Sequence, residues 1–139
     1  MTATASDLSR LLATLEPVRV PGILAYVTHP AGHECPPAGA IATLREPEGW
    51  SAILPAGVAA ARGLAPAMLC GWIALRLHSP LNAVGLTAAF ASALAKRDIP
   101  CNVVAGTRHD HLFVPIFRVY SAMDALRSLQ RDSAERHIA

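Results

Sequence analysis

Charged residues are scarce in this chain: Asp, Glu, Lys and Arg make up 16% of its 139 residues. The formal net charge is only +2, and the twelve Lys and Arg residues are scattered along the chain. Without a basic patch, the sequence lacks the electrostatic signature of a protein that binds nucleic acid or anionic headgroups. We therefore expect neither nucleic acid nor a membrane as a partner.

Long apolar runs are also missing. Residues 1–12 carry Asp7 and Arg10, so they predict neither a signal peptide nor an anchor. Further along, Arg76 and His78 interrupt an apolar segment before it reaches transmembrane length. Three cysteines are an odd number without C-x-x-C spacing, which favours reduced thiols and a cytoplasmic location over a disulfide framework.

Hydrophobic residues, in contrast, make up 53% of the chain. A chain of this length corresponds to one ordinary domain or two very small ones, and it buries roughly two-thirds of its surface on folding. The apolar excess predicts a globular protein with surface left over for a partner subunit, and a homodimer is expected.

The first half of the chain shows short elements separated by Pro and Gly. Helical spacing of leucines predicts a first helix that Pro17 ends, and alternation predicts the first strand. A segment rich in Pro and Gly is typical of a loop, and Pro47-Glu48-Gly49 is typical of a hairpin turn. The predicted elements are a helix from Ser6 or Asp7 to about Leu15, a strand over 23–28, a loop over 30–39, strands over 40–46 and 50–54, and a helix over 57–62 that Gly63 closes.

The second half is more regular. Alternation over 72–78 predicts a strand with Ile73, Leu75 and Leu77 on its core face. Ser79-Pro80 then breaks the strand and favours a helix start. The predicted elements that follow are an alanine-rich helix over 81–96, strands over 101–105 and 111–114, and a last helix with Val119, Met123, Leu126 and Leu129 on one stripe, which frays from Arg131 onward.

The two halves repeat one order of elements: a hairpin, a proline that ends its second strand, and a helix. This order predicts an α+β fold of the ferredoxin-like (βαββαβ) type, with helices on one face of an antiparallel sheet. We place the boundary between an N-terminal module (1–66) and a C-terminal module (67–139).

Three segments carry a resemblance to a known family, namely His78 to Thr87, Cys101 to Gly106 and His109 to Pro115, and Ile41 to Glu46 is similar to the first half of the same family. With these segments the chain resembles small bacterial ACT-domain proteins. The resemblance implies a tandem of two ACT-like modules, a regulatory or sensory role without catalysis, and a small-molecule ligand such as an amino acid. A homodimeric interaction protein without a ligand is the alternative.

The resemblance also implies where the ligand binds, namely the loop after the Trp72 strand. Elementary chemistry agrees, because spare N–H groups at a helix start attract a carboxylate and Gly85 permits close approach. Strand residues from Asn102 to Ala105 would form the opposite wall. The predicted ligand-binding residues are His78, Ser79, Leu81, Asn82, Val84, Gly85, Asn102, Val103, Val104, Ala105, His109 and His111.

His109-Asp110-His111 could serve metal binding, proton transfer or a pH-sensitive contact. In an extended strand, however, the two histidines point to one face and the aspartate to the other. We therefore favour a structural role for this string and predict no metal site. Zinc binding with His78 as a third imidazole is the alternative.

His29, His33 and Cys35 have metal-compatible spacing on the Pro-rich loop, with Glu34 as the only fourth ligand on offer. We rank this group below His109-Asp110-His111 as a metal site.

No nucleophile or cofactor signature is convincing. Cys101 lies in an apolar strand, where a thiol is usually a small buried hydrophobe, and no G-x-S-x-G surrounds Ser79. The glycines are too dispersed for a phosphate loop or a dinucleotide fingerprint, so we expect no cofactor.

Overall fold

A computed structural model describes residues 5–77, 79 and 81–138 of the chain. These residues form four helices and six strands. The helices are α1 (Ala5–Ala13), α2 (Ala56–Ala61), α3 (Leu86–Ala95) and α4 (Val119–Ile138), and a short 3-10 turn, Ile116–Arg118, precedes α4. The strands are β1 (Glu16–Pro30), β2 (Ala42–Glu46), β3 (Gly49–Pro55), β4 (Met68–Arg76), β5 (Asn102–Ala105) and β6 (Asp110–Pro115).

The chain divides into two compact units. The first takes its residues from Met1–Val20 and Trp72–Ala139, and the second is Pro21–Gly71. Strands β1 and β4 therefore each contribute one part to each unit. The boundary at residue 66 that the sequence suggests stays a prediction.

In the second unit the strand order is β2-β3-β1-β4, which is the order of a ferredoxin-like sheet. Strands β2 and β3 form a tight antiparallel hairpin in which Glu46 pairs with Gly49, as the Pro47-Glu48-Gly49 string predicts. Strand β1 pairs antiparallel with β3, from Leu24 opposite Pro55 to Pro30 opposite Gly49. The first ferredoxin-like helix is missing here, because residues 31–41 form a loop.

The core of the second unit is small and rich in alanine. Alternation along β1 and β3 places every second side chain on the face that α2 covers. The buried cluster consists of Ala25, Val27, Ala52, Leu54 and Ala59, with Leu64 packed against it.

The first unit has the larger core. Strands β4, β6 and β5 are neighbours in that order, and β5 pairs antiparallel with β6. Ile73, Leu75 and Leu77 are buried in one cluster, as the alternation in β4 predicts. The helices add buried side chains to the same cluster, among them Leu12, Phe90, Leu94, Met123 and Leu126.

Four predicted elements differ most from the structure. Strand β4 spans Met68–Arg76 rather than residues 72–78. Strand β1 begins at Glu16 rather than residue 23, because Pro17 and Pro21 stay within an extended segment. Helix α3 begins at Leu86, five residues after the predicted start. Helix α4 does not fray at Arg131: it continues to Ile138, and Ser133 is buried with its hydroxyl donating to the Leu129 carbonyl.

Candidate functional site

The start of α3 is set by Gly85. This residue has φ = +98°, a left-handed conformation that the right-handed helix cannot contain and that glycine adopts without strain. The amide of Ala89 donates to the Gly85 carbonyl at 3.0 Å, which closes the first turn. The predicted helix start at Leu81 is therefore wrong, and the helix amides lie at residues 86–88 instead.

This helix start has no side-chain cap. Within the described residues, the N-cap position is Gly85 and makes no side-chain cap hydrogen bond, and the first turn contains no acidic residue. The first N–H groups of a helix lack intrahelical partners and carry a partial positive charge. The first turn of α3 is thus suited to an anionic group.

Gly85 does not provide open space for a ligand. A Cβ at this position would lie 3.1 Å from Cδ2 of Leu8, a side chain of α1. Its role is therefore the left-handed turn and close packing against α1.

The turn between β5 and β6 approaches the same region. The Gly106 amide donates to the His109 carbonyl at 2.9 Å, and a Cβ on Gly106 would lie only 2.8 Å from that oxygen. Glycine is consequently required for this tight turn, which places Arg108, His109 and Asp110 beside the end of β5.

Together these segments line a depression, here called the α3 cavity, of about 40 Å³. Its volume matches about one water molecule. Its wall consists of Ser79, Leu81, Ala83, Leu86, Thr87, Ala105, Gly106, Arg108, His109 and Asp110.

Four of the predicted ligand-binding residues line the α3 cavity: Ser79, Leu81, Ala105 and His109. His78 lies outside the residues that the structure describes. The remaining predicted residues do not line the cavity, and they are Asn82, Val84, Gly85, Asn102, Val103, Val104 and His111.

Thr87, Arg108 and Asp110 line the α3 cavity but are not among the ligand-binding residues predicted from the sequence. Thr87 was missed because the helix start was placed too early. Arg108 belongs to the hairpin connection, where a basic residue two positions before Asp110 was the available signal.

Asp110 is a half-buried carboxyl group. Burial raises its pKa above the ordinary value, and the neighbouring His111 partly opposes this effect. The carboxylate is therefore under-solvated in the cavity wall, and a cation placed beside it would be stabilised.

His111 does not line the α3 cavity. The Trp72 indole N–H donates to Nδ1 of His111 at 3.0 Å, and Trp72 also stacks on Phe113 with ring centroids 6.0 Å apart. A histidine that accepts at Nδ1 is neutral with its proton on Nε2. His109 and Asp110 line the α3 cavity, whereas His111 does not, and the expectation that the two histidines share a face stays a prediction.

Burial lowers the pKa of His111, and the positive charge of His109 lowers it further, while Asp110 raises it. When the pKa of a base is lower in the folded state, the folded protein loses stability as the pH falls through the pKa of that base in the unfolded chain. The reason is that the unfolded chain binds the proton first. We expect the free energy of unfolding, measured by urea denaturation, to fall as the pH is lowered from about 8 to about 5. Its slope should be well under the limit of about 1.4 kcal/mol per pH unit.

The His111→Asn variant should reduce this slope, since asparagine can still accept from the Trp72 indole but does not titrate. His29, whose pKa burial also lowers, should account for part of the slope that remains in this variant. An unchanged slope in His111→Asn would contradict the assignment.

A second, larger cavity lies in the second unit and has a volume of about 480 Å³. It is here called the loop cavity, and its wall consists of His29, His33, Glu34, Cys35, Pro36, Pro37, Ala38, Arg62 and Leu64. The rings of His29 and His33 stack with centroids 3.6 Å apart and an interplanar angle of 28°. Across the described parts of the chain, no three His, Cys, Asp or Glu side chains are arranged to hold a metal ion.

Neither the buried Cys70 nor the half-buried Cys101 is an activated nucleophile. Burial raises the pKa of both Cys70 and Cys101 to about 11, so each is protonated at neutral pH.

In the described segments, no helix is both long and apolar enough to span a membrane.

Two ACT-domain family models match the chain, one over residues 3–71 and the other over residues 69–128. The chain belongs to the ACT-domain family. Its two matches tile almost the whole ACT protein, and ACT domains are generally regulatory modules that bind ligands. No curated protein shows significant similarity to this ACT protein.

Solved structures agree with this assignment. A Vibrio cholerae protein of unknown function, described as a possible transport protein, is 36% identical, with a TM-score of 0.80 and coverage of 92% of this ACT protein and 99% of the other chain. An Agrobacterium tumefaciens protein has 18% identity, a TM-score of 0.62 and coverage of 84% and 89%. The regulatory subunit of aspartate kinase from Thermus flavus shares the fold at 8% identity, with a TM-score of 0.52 and coverage of 83% and 95%.

Proposed function

We propose that this ACT protein is a non-catalytic regulatory module of the cytoplasm that binds a small zwitterion, such as a free α-amino acid, in the α3 cavity. One observation carries the proposal: the cavity wall combines the uncapped start of α3 and Arg108 with the half-buried carboxyl group of Asp110. The regulatory role of the Thermus flavus aspartate kinase subunit, which shares the fold, supports it.

The two ends of an α-amino acid match the two sides of this wall. A carboxylate is stabilised by free amides at a helix start and by a guanidinium, which can form charge-assisted hydrogen bonds with both of its oxygens. An ammonium group beside Asp110 would restore the solvation that burial removes, and would lower the raised pKa of that carboxyl group.

Ligand entry requires the cavity to widen, because about 40 Å³ cannot hold an amino acid. The side chains of Leu81 and Val84 are suited to move, because they are 68% and 71% exposed. Neither side chain belongs to the buried core, so displacing them breaks little apolar packing. A ligand that binds the open form better would shift the population toward it.

The experiment is a thermal-shift screen of the full chain against free amino acids. A binder at about one hundred times its dissociation constant adds close to 3 kcal/mol of stability. The variants Arg108→Gln and Asp110→Asn should each weaken binding about tenfold, because each removes one charged partner. The exposed helix residues Arg127 and Asp132 supply matched controls, Arg127→Gln and Asp132→Asn, which should bind like the wild type.

Absence of any stabilising amino acid, or a binder whose affinity ignores both cavity variants, would overturn the proposal. The homodimeric interaction protein would then be favoured, because exposed apolar side chains such as Leu44 (65%) and Phe117 (93%) offer surface for a partner subunit. Sedimentation of the chain with and without ligand separates the two functions.

A further inference from the structure

The loop cavity of the second unit is built from anchored elements. His29 belongs to β1, where it pairs with Trp50 of β3, and the Trp50 indole donates to the His33 carbonyl at 3.3 Å. Leu64 packs against the buried core, and its amide donates to the Ala59 carbonyl at 3.0 Å. The cavity is therefore supported by the sheet and by α2 as well as by its own loop.

Its walls have two chemical characters. Pro36, Pro37, Ala38 and Leu64 form an apolar part, and Pro37 is itself buried. The polar part contains the guanidinium of Arg62 and the rings of His29 and His33, with Glu34 as the single carboxylate.

Arg62 and His29 retain unused hydrogen-bonding capacity. One Arg62 nitrogen donates to the Ala38 carbonyl, and within the described residues this guanidinium makes no ion pair. Nδ1 of His29 is buried, and in the described chain it has no hydrogen-bond partner. A buried polar atom without a partner is costly, so a ligand that supplies one is stabilised.

We propose that the loop cavity is a second ligand site, which binds a small carboxylic acid with an apolar body through Arg62 and His29. The carboxylate accepts from both side chains, and the body packs against the prolines and Leu64. The volume of about 480 Å³ accommodates a ring-sized acid. This site is independent of the proposed function, since none of its residues lines the α3 cavity.

Binding at this site should strengthen as the pH falls. Burial lowers the pKa of His29, and the neighbouring cations His33 and Arg62 lower it further. A bound carboxylate reverses this repulsion, so the complex takes up a proton. The other ionisable groups in the wall are Glu34 and Cys35; Glu34 opposes an anion, and removal of its charge should tighten binding.

The experiment uses benzoate and its neutral isostere benzamide, added to the ¹⁵N-labelled full chain. The two indole N–H resonances serve as reporters, because Trp50 bonds to the cavity loop and Trp72 bonds to His111 in the first unit. Benzoate should shift the Trp50 resonance saturably and leave Trp72 in place. Benzamide should bind about tenfold more weakly, because it lacks the charge.

Variants locate the site. Arg62→Gln should lose about tenfold in benzoate affinity, Arg62→Lys should lose less, and Glu34→Gln should gain. His29→Gln should flatten the pH dependence while its affinity at about pH 8 stays near the wild-type value, since His29 is neutral there. Arg127→Gln is the charge control, and Arg108→Gln separates this site from the α3 cavity; both should bind benzoate normally.

Equal binding of benzoate and benzamide, no saturable shift of Trp50, or full affinity in a folded Arg62→Gln variant would each overturn the proposal. None of these results bears on amino-acid binding at the α3 cavity, so the two proposals fail separately.

Discussion

Replacing Phe90 with alanine is expected to lower the free energy of unfolding by about 3–5 kcal/mol. Phe90 is fully buried in α3 and belongs to the large core cluster of the first unit. Its removal takes a large apolar surface out of the core and leaves a cavity that close-packed neighbours fill only in part. Urea denaturation followed by far-UV circular dichroism measures the change.

A loss this large is a sizeable part of the stability of a small domain, so the variant could unfold outright. Phe90→Leu keeps the comparison measurable, because it retains most of the apolar volume and should cost less than about 1.5 kcal/mol. Phe117 is 93% exposed and provides the matched control: Phe117→Ala should change stability by less than about 0.5 kcal/mol. Similar losses at Phe90 and Phe117 would contradict the described core.

Strand β4 and the β2–β3 hairpin show which parts of the fold could be predicted from the sequence. Alternation fixed the core face of β4, since Ile73, Leu75 and Leu77 repeat with the period of a strand. The Pro47-Glu48-Gly49 turn likewise determined the β2–β3 hairpin, because its residues suit only a tight reversal. Strong local patterns of this kind predict elements reliably.

The errors arose where a local pattern and the backbone conformation disagree. Ser79-Pro80 is a good helix start on propensity, yet Gly85 adopts a positive φ and delays α3 to Leu86. The residues in between, Leu81 to Val84, carry no pattern that reveals this conformation. The helix amides consequently lie one and a half turns further along than expected.

The α3 cavity was only partly predictable for a related reason. The resemblance to ACT-domain proteins implied that the loop with Ser79 and Leu81 faces the strand that ends at Ala105, and the structure places these three residues and His109 in one wall. Which side chains of His109-Asp110-His111 join them depends on the twist at the end of a hairpin, which period-two alternation does not describe. The loop cavity depends on packing around an irregular segment, for which no sequence period exists.

Replacing Gly49 with alanine is expected to cost more than about 3 kcal/mol of stability. Gly49 has φ = +131°, a conformation that residues with a Cβ rarely adopt. A Cβ at this position would clash with the His29 carbonyl oxygen and would lie 2.8 Å from the Pro30 carbonyl carbon. Both atoms are backbone, so no side-chain rotation relieves the clash, and the β1–β3 pairing at its Pro30–Gly49 end must separate.

Gly57 in α2 is the matched control, because a Cβ there would meet no atom within 4 Å and the residue lies inside a helix. Gly57→Ala should therefore be neutral or stabilise by up to about 1 kcal/mol. The urea midpoints of the two variants, compared with the wild type, measure the difference. If Gly49→Ala unfolded at the wild-type midpoint, the close backbone approach between β1 and β3 would be wrong. The anchoring of His29 beside the loop cavity would then lose its basis, since the same pairing holds both.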